Sequence, residues 1–392
     1  MIYLDNNATT QPTPRVVEAM LPYLTECYFN ASASTAAYTG ADEPRRRAAT
    51  AMATLLNAEE AGCFTFTSGA TESNNWVFSS FARRRTGGRI IISSIEHASI
   101  AEPAAQLGRT GFEIIELPVN DQGVVRLDVL REALKEDAAL VSIMTANNET
   151  GVLEPIQEIG RLIRERCPGA IFHTDATQAV GKIPVDLQDD WKEIDLLSFS
   201  AHKFHGPKGI GGLYIRPGIE IDPMLLGGGQ EGGLRSGTTN TPALAGIAAA
   251  ALECADSVSE AMRGIRDTFE TSLRTAIPGV VIHSHNVARL PNTSFFSAPG
   301  VEAEEIAASL AASGIIVGTG AACSSGALEG SKTLRSMGVD ERVAASGLRV
   351  SLSRCSTVAQ IGLFLEALTA QYVKSAGGGT NPQQTRTLSL LG

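Results

Sequence analysis

A lysine placed directly after an apolar run is the residue here that most needs a chemical reason. The run 196–200 is followed by Ala201-His202-Lys203 and then by the turn Phe204-His205-Gly206-Pro207. An amine at the end of a buried strand is costly unless it is neutral, paired or covalently bonded. Desolvation is also what makes a lysine amine a Schiff-base nucleophile. His202 and His205 have the right type for metal ligation, but no third ligand lies near them in the sequence, and a polar turn accounts for His205.

Four more segments have the same form, an apolar run ending in polar residues. In Thr67-Ser68-Gly69-Ala70-Thr71-Glu72-Ser73 a strand gives way at once to a helix. Free backbone N–H groups and hydroxyls there can seat a phosphate; the plainer alternative is a Ser/Thr helix cap. No Gly-Lys-Ser/Thr follows, so it is not a P-loop. In His173-Thr174-Asp175-Ala176-Thr177-Gln178, Asp175 can hold a protonated pyridine nitrogen, which makes that ring an electron sink, or can cap the next helix. His97, in Ile95-Glu96-His97-Ala98-Ser99, can stack on a flat ring, although a lone His is more often structural. Asn147-Asn148-Glu149 offers amides to a ring substituent. Each signal is weak alone. Together they place a phosphate seat, a pyridinium acid, a Schiff-base lysine, a stacking imidazole and a ring-bonding amide at strand ends of one sheet, which is the set of parts that pyridoxal phosphate requires.

The elements that must position these residues alternate. Strands are expected at 63–67, 89–93, 113–117, 140–144, 170–173, 196–200 and 212–216, with helices at 14–24, 44–56, 72–85, 100–107, 127–135 and 156–166. Such alternation predicts a mostly parallel sheet wrapped by helices, with ligands bound beyond the carboxyl ends of its strands. After about Gly233 the rhythm changes. A long helical pattern at 242–276, interrupted near Gly264, precedes strands at 280–283, 293–297, 315–318 and 348–352 and helices at 303–312 and 358–375. The fold class is therefore α/β, a large domain plus a smaller α+β domain. The expected division is 14–255 for the cofactor-binding domain and 1–13 with 256–376 for the small one. Residues 377–392 read as a Gly-rich linker and tail. The apolar Leu388, Leu390 and Leu391 in that tail fit a frayed terminus or a docking peptide.

The chain has 392 residues, 43% hydrophobic and 19% charged, which suits a soluble two-domain enzyme. A net charge of −10 argues against a nucleic-acid groove as the main site. The basic run Arg83-Arg84-Arg85 falls at a predicted helix end. No signal peptide is apparent and no apolar run approaches the length of a membrane span, so the expected compartment is the cytoplasm. The six cysteines, Cys27, Cys63, Cys167, Cys254, Cys323 and Cys355, form no C-x-x-C pair and read mostly as free thiols. Cys323 stands apart, in the small, polar, Gly-rich stretch Gly318-Thr319-Gly320-Ala321-Ala322-Cys323-Ser324-Ser325-Gly326.

From Tyr3-Leu4-Asp5-Asn6-Asn7-Ala8-Thr9-Thr10 to about Gln371 the chain resembles the cysteine desulfurases of the class V aminotransferase family, fold type I pyridoxal-phosphate enzymes. The resemblance is carried by the segments quoted above and by Ser200-Ala201-His202-Lys203, Arg235-Ser236-Gly237-Thr238 and Gly347-Leu348-Arg349-Val350-Ser351-Leu352. It implies that Lys203 bonds the cofactor and moves protons, that Asp175 pairs with the ring nitrogen, that Gln178 faces the phenolic oxygen and that His97 stacks on the ring. Ala70, Thr71, Ser200 and His202 would hold the phosphate, with Thr238 reaching it from the other subunit of a homodimer. Asn148 would lie near ring and substrate, and Arg349 would clamp the substrate carboxylate, as its bidentate fork suits.

The same resemblance implies that Cys323 attacks the sulfur of L-cysteine, releasing alanine and keeping a persulfide for an acceptor protein, in iron–sulfur cluster assembly or another sulfur transfer. A selenocysteine lyase, a C–S lyase or another aminotransferase-like enzyme is the alternative reading, and an inactive sulfur-assembly scaffold is a further one. The chain departs from the family pattern twice. Residues 30–38 lack the usual Pro and His, leaving Asn30 as the substrate contact there, and Gly232 stands where an Arg is common.

Overall fold

The apolar runs that precede the polar clusters line up as neighbours in one sheet. The structure, a computed structural model, describes residues 1–135, 138–254, 259–298, 300–320 and 330–376. After a short β1 (Ile2–Tyr3), the large sheet takes β2 (Phe64–Thr67), β3 (Gly88–Ser93), β4 (Phe112–Leu117), β5 (Ala138–Ser142), β6 (Ile171–Asp175), β7 (Leu196–Ser200) and β8 (Gly211–Ile215). Their order is β2-β8-β7-β6-β5-β3-β4; β8 runs against both of its neighbours and the other pairs are parallel.

Period-two alternation sends each central strand's side chains to two cores. Ile90 and Ile92 pack with Trp76, Phe78, Ile100, Leu140 and Leu196 on one face. Ile91, Val141, Phe172 and Leu197 pack with Met52, Ile159 and Ile247 on the other. Helices Ala70–Arg84 and Ala98–Gly108 cover the first face; Glu43–Leu55, Ile156–Arg166 and Thr241–Cys254 cover the second. Each fully buried side chain of this kind contributes about 1.5–3 kcal/mol, and the sheet is thereby held rigid behind its carboxyl edge. Gly211 permits one close approach inside it. A Cβ there would lie 2.3 Å from the Phe199 carbonyl and 2.7 Å from Gly69 Cα, so only glycine lets β8 lie against the turn that opens the Ala70–Arg84 helix.

The remaining strands are β9 (Val281–Ile282), β10 (Thr293–Ser297), β11 (Ile315–Ile316), β12 (Gly318–Thr319) and β13 (Gly347–Ser351). Four of them make an antiparallel sheet, β12-β13-β10-β9, and β11 pairs in parallel with β1. Leu4, Phe269, Phe296, Leu348, Val350 and Phe364 form a core there.

The elements sit within a few residues of their expected places, with two differences. The 242–276 region is described as helical over Thr241–Cys254 and Ser259–Ala276, and Gly264, where an interruption was expected, lies inside the latter span. Space around Gly264 is open, and an exposed helical glycine costs only about 1 kcal/mol relative to alanine. The strand expected at 315–318 divides into β11 and β12, which belong to different sheets.

Candidate active site

The carboxyl ends of β2, β3, β6 and β7 carry the candidate residues to one place. Asp175, the last residue of β6, is buried; its Oδ1 accepts from Thr177 N at 2.9 Å and its Oδ2 from Asn74 Nδ2 at 2.8 Å. Asn74 projects from the helix that follows β2 and also donates to Ser99 Oγ at 2.8 Å. Ser99 bonds His97 Nδ1 twice, through Oγ at 2.8 Å and backbone N at 3.1 Å. An Nδ1 that accepts the Ser99 amide leaves the proton of the neutral ring on Nε2. One chain of contacts, Asp175–Asn74–Ser99–His97, thus ties together two residues that the sequence marked separately. Asn74 was not marked. Its signal was a polar residue on the buried face of a helix, one turn after Ala70.

At the head of that helix Ala70 N donates to Ser200 Oγ at 2.7 Å, joining the ends of β2 and β7. Thr71 is exposed at the second helical position. Glu72 accepts Ser68 N at 2.9 Å and pairs with Arg235 at 2.8 Å. Burial raises the Glu72 pKa, but the hydrogen bonds from Arg235 and Ser68 outweigh it and hold the carboxyl below its ordinary range. Through Arg235 the segment carrying the exposed Thr238 is tied to the helix N-terminus.

Lys203 closes the short 3-10 turn after β7, and its Nζ donates to the carbonyls of Asn7 at 2.7 Å and Ala8 at 2.8 Å. Residues 5–10 therefore strap the site. Thr10 N donates to the His202 carbonyl at 2.8 Å, and His202 Nδ1 lies 3.1 Å from Thr9 Oγ1. Burial, then the charges of Lys203, Lys208 and Lys182, push the His202 pKa down to about 4, so its ring is neutral at physiological pH. Gln178 Nε2 donates to the Asn7 carbonyl at 2.9 Å and its Oε1 accepts from Lys182 at 2.5 Å.

Asn7 Nδ2 reaches Thr293 Oγ1 at 2.9 Å and the Asn148 carbonyl at 3.2 Å. Arg349, from β13, donates Nη1 to that same carbonyl at 2.9 Å and Nη2 to Asp5 Oδ1 at 2.6 Å, while its buried Nε has no partner among the described residues. Asn148 joins the cluster by its backbone. Asn30 does not join it: it is exposed, and its hydrogen bonds are with Ser32 and Ala33 of its own turn.

Cys323 lies outside the described residues, as does the 377–392 tail. The residues flanking 321–329 lie side by side, since a Cβ on Gly320 would sit 2.6 Å from Ser331 Cβ. Glu149 holds that junction, accepting from Ser331 Oγ and, at 2.9 Å, from Thr333 Oγ1. Burial raises its pKa against the pull of those two hydroxyls. Of the described thiols, Cys254 is pushed up to about 11, and Cys63 also upward, both chiefly by burial, which leaves each a poor nucleophile.

The donor set fits pyridoxal phosphate. A carboxylate braced by two donors, a helix N-terminus with a serine and a neutral histidine, and an amine all stand at the carboxyl edge of one sheet. Two buried polar atoms near this set, Thr177 Oγ1 and Arg349 Nε, have no partner among the described residues, and buried polar atoms are rarely left so.

Comparisons with known proteins agree with that chemistry. The family described as Aminotransferase class-V matches residues 2–364. Cysteine desulfurase 2 of Trichormus variabilis (strain ATCC 29413 / PCC 7937) is 43% identical over 371 residues, covering 94% of this chain and 92% of that one. Cysteine desulfurase IscS of Methanosarcina thermophila is 40% identical over 394 residues, with 99% and 96% covered. Among solved structures, a NifS-like protein superposes with a TM-score of 0.87 at 36% identity, covering 94% of this chain and 98% of its own.

Proposed function

Because the chain belongs to the class V aminotransferase family, we propose that the strand-end cluster is the catalytic centre through which it takes sulfur from L-cysteine. It is a pyridoxal-phosphate-dependent cysteine desulfurase. The observation that carries the residue assignment is the convergence of Lys203, Gln178 and the Asp175–Asn74–Ser99–His97 chain on one sheet edge.

Pyridoxal phosphate, when bound, supplies a sink for the electrons released as bonds to the substrate's α and β carbons break. Each residue's part follows from its place. Lys203 is the covalent anchor and afterwards the base and acid at the substrate carbons. Asp175, fixed by Asn74 and Thr177, keeps a proton on the ring nitrogen. His97 offers a flat, tautomer-fixed face for stacking. Ala70, Thr71, Ser200 and His202 hold the phosphate at the helix N-terminus, and Thr238 completes that grip across the boundary of a homodimer. Gln178 donates to the ring oxygen, and Asn148 stands beside ring and substrate. Arg349 grips the substrate carboxylate, which competes with Asp5 for the guanidinium. Asn30 is the outer substrate contact.

The Cys323 thiolate then attacks the substrate sulfur. The carbon–sulfur bond breaks with its electrons left on carbon, which is reprotonated to alanine, and Cys323 keeps the persulfide. A sulfur-acceptor protein receives it, for iron–sulfur clusters or other sulfur transfer; the IscS relative supports that direction. Residues 14–255 act as the cofactor domain, and 1–13 with 256–376 as the domain bearing the Cys323 segment. A cytoplasmic location is supported by the free cysteines. No helix of the described residues is long and apolar enough to cross a membrane.

Mass spectrometry of the enzyme after incubation with L-cysteine tests this reading. It is expected to find added sulfur on the Cys323 peptide and none there in Cys323→Ser, which keeps its cofactor. Sulfur on Cys355, the exposed thiol, or on Cys27 would overturn the assignment.

A further inference from the structure

Lys182 is a second buried lysine beside Lys203, and the roles assigned above make no use of it. It is 6% exposed and has no carboxylate within ion-pairing distance among the described residues. The charged and titratable groups whose fields connect with it are Lys203, Arg349, His202 and His205. Burial first, then the Lys203 and Arg349 charges, hold its pKa well below that of an ordinary lysine. An amine kept in such surroundings is destabilising unless its hydrogen bonds have a use.

Those bonds go to two side-chain carbonyl oxygens, Gln178 Oε1 at 2.5 Å and Asn7 Oδ1 at 3.1 Å. Charged or neutral, the amine has donors enough for both. A glutamine amide is ambivalent, presenting donor or acceptor with a half-turn. With Oε1 engaged by Lys182, the Nε2 end must face the other way. There it donates to the Asn7 carbonyl at 2.9 Å, the same carbonyl that takes Lys203 Nζ at 2.7 Å. Asn7 is fixed likewise, Oδ1 toward Lys182 and Asn292 and Nδ2 toward Thr293 and Asn148. The backbone is shaped for this approach. Gly181 has φ +75° and a Cβ there would meet Phe204 Cβ at 2.6 Å, so only glycine lets the Lys182 turn lie against the residue after Lys203.

We propose that Lys182 is a positioning residue: by taking the carbonyl oxygens of Gln178 and Asn7 it locks the Gln178 amide with its N–H toward the Lys203 amine and the cofactor's ring oxygen. The inference rests on Lys203 being the cofactor lysine. Its consequence is electrostatic. A donor on the ring oxygen withdraws negative charge from the neighbourhood of the Lys203 nitrogen and so weakens that nitrogen's hold on its proton. Without Lys182 the amide is free to turn, the donor is lost, and the proton is held more tightly.

The experiment is a spectrophotometric pH titration of the visible band of the holoenzyme without substrate, in the parent, Lys182→Met and Lys182→Arg. The midpoint is expected to rise by about one pH unit in Lys182→Met, a roughly tenfold change in proton affinity, and to stay near the parent's in Lys182→Arg, which donates and cannot accept. If Lys182→Met gives no folded holoenzyme, Lys182→Gln replaces it and is expected to shift the same way by less, since its amide can accept as well as donate. An unmoved midpoint in either folded variant overturns the proposal. In a Gln178→Leu background Lys182→Met is expected to add no further shift; a full shift there shows that Lys182 does not act through Gln178. A parent with no lysine-linked band would defeat the Lys203 assignment itself, whereas a parent band left unmoved in the variants defeats the Lys182 role alone.

Discussion

Two polar regions of this molecule are built on opposite plans. At the carboxyl edge of the large sheet, side chains far apart in sequence hold one another. Asp175 is bonded to Asn74 across 101 positions, Gln178 to Asn7 across 171, and Arg349 to Asp5 across 344. In residues 26–40 the side-chain hydrogen bonds are local, Ser32 to Asn30 and Thr39 to Thr35 and Ala36, and Tyr28 and Tyr38 are 71% and 92% exposed. The first region has one arrangement because moving any member strands a buried polar partner. The second has no such penalty. One of the two departures from the pattern that the resemblance implies, the missing Pro and His of residues 30–38, falls in it. Polar groups are fixed where rearrangement is costly and are free to vary where it is cheap.

That contrast can be tested from both sides. Replacing Lys203 by alanine is expected to remove the visible cofactor band and to lower alanine production by roughly 10³-fold or more, measured by absorption and by product assay; a variant that keeps both shows that the edge is not the centre. Arg349→Lys keeps the charge but loses the fork. Its kcat/KM for cysteine is expected to fall about 10–100-fold, mainly through KM, as loss of a charged hydrogen bond implies. A fall in kcat alone would mean that Arg349 does something other than hold the substrate.

Glu154 sharpens the comparison through stability. Burial first, then the charge of Glu96, raise its pKa to about 8, and burial does the same for Glu96 despite hydrogen bonds from Ser93 and Met144. Between about pH 4.5 and 8 the unfolded chain gives up these protons before the folded one, so stability falls as pH rises through that window. Glu154→Gln is expected to match the parent near pH 5 and to exceed it at pH 8, by on the order of 1–3 kcal/mol, in denaturant titrations at the two pH values. Parallel curves would mean that Glu154 is ionised in the folded state. The smallest effect belongs to the second region. Asn30→Ala is expected to change kcat/KM by less than about threefold, as for an exposed outer contact with local bonds; a tenfold loss would mean that residues 30–38 are held as tightly as the sheet edge and erase the distinction.

The sheet edge was legible in the sequence because an aspartate, a serine or a lysine ending an apolar run is locally conspicuous. Asp175, Ser200 and Lys203 needed no partner to be noticed. Asn74, Asn7 and Lys182 were not legible in this way. Asn7 matters because residues 5–10 cross from the small sheet to the end of β7, a path no local pattern records. Lys182 reads as an ordinary surface lysine after a glycine until the fold buries it against Gln178. Asn148 was read as an amide side chain, yet the bonds it makes to Asn7 and Arg349 use its carbonyl. Periodicity located the 242–276 helical region but read an interruption near Gly264, where the helix runs on, because an open-sided glycine is tolerated within a helix.

The strap formed by residues 5–10 also bears on how the protein is made. Asn6 Nδ2 donates to the Ser351 carbonyl at 2.8 Å, and Asn7 N to Ser351 Oγ at 2.9 Å, across 345 and 344 positions. Residues 6 and 7 therefore wait for residue 351 to be synthesised before they can be placed. Until Ser351 emerges, Asn7 lacks the anchor on its backbone N–H, and the lysine and glutamine that lean on its carbonyl lean on a partner not yet held there. A nascent chain can complete its large sheet well before it can complete its catalytic centre. Cofactor capture thus becomes a late event in biosynthesis, one that waits on the synthesis of β13.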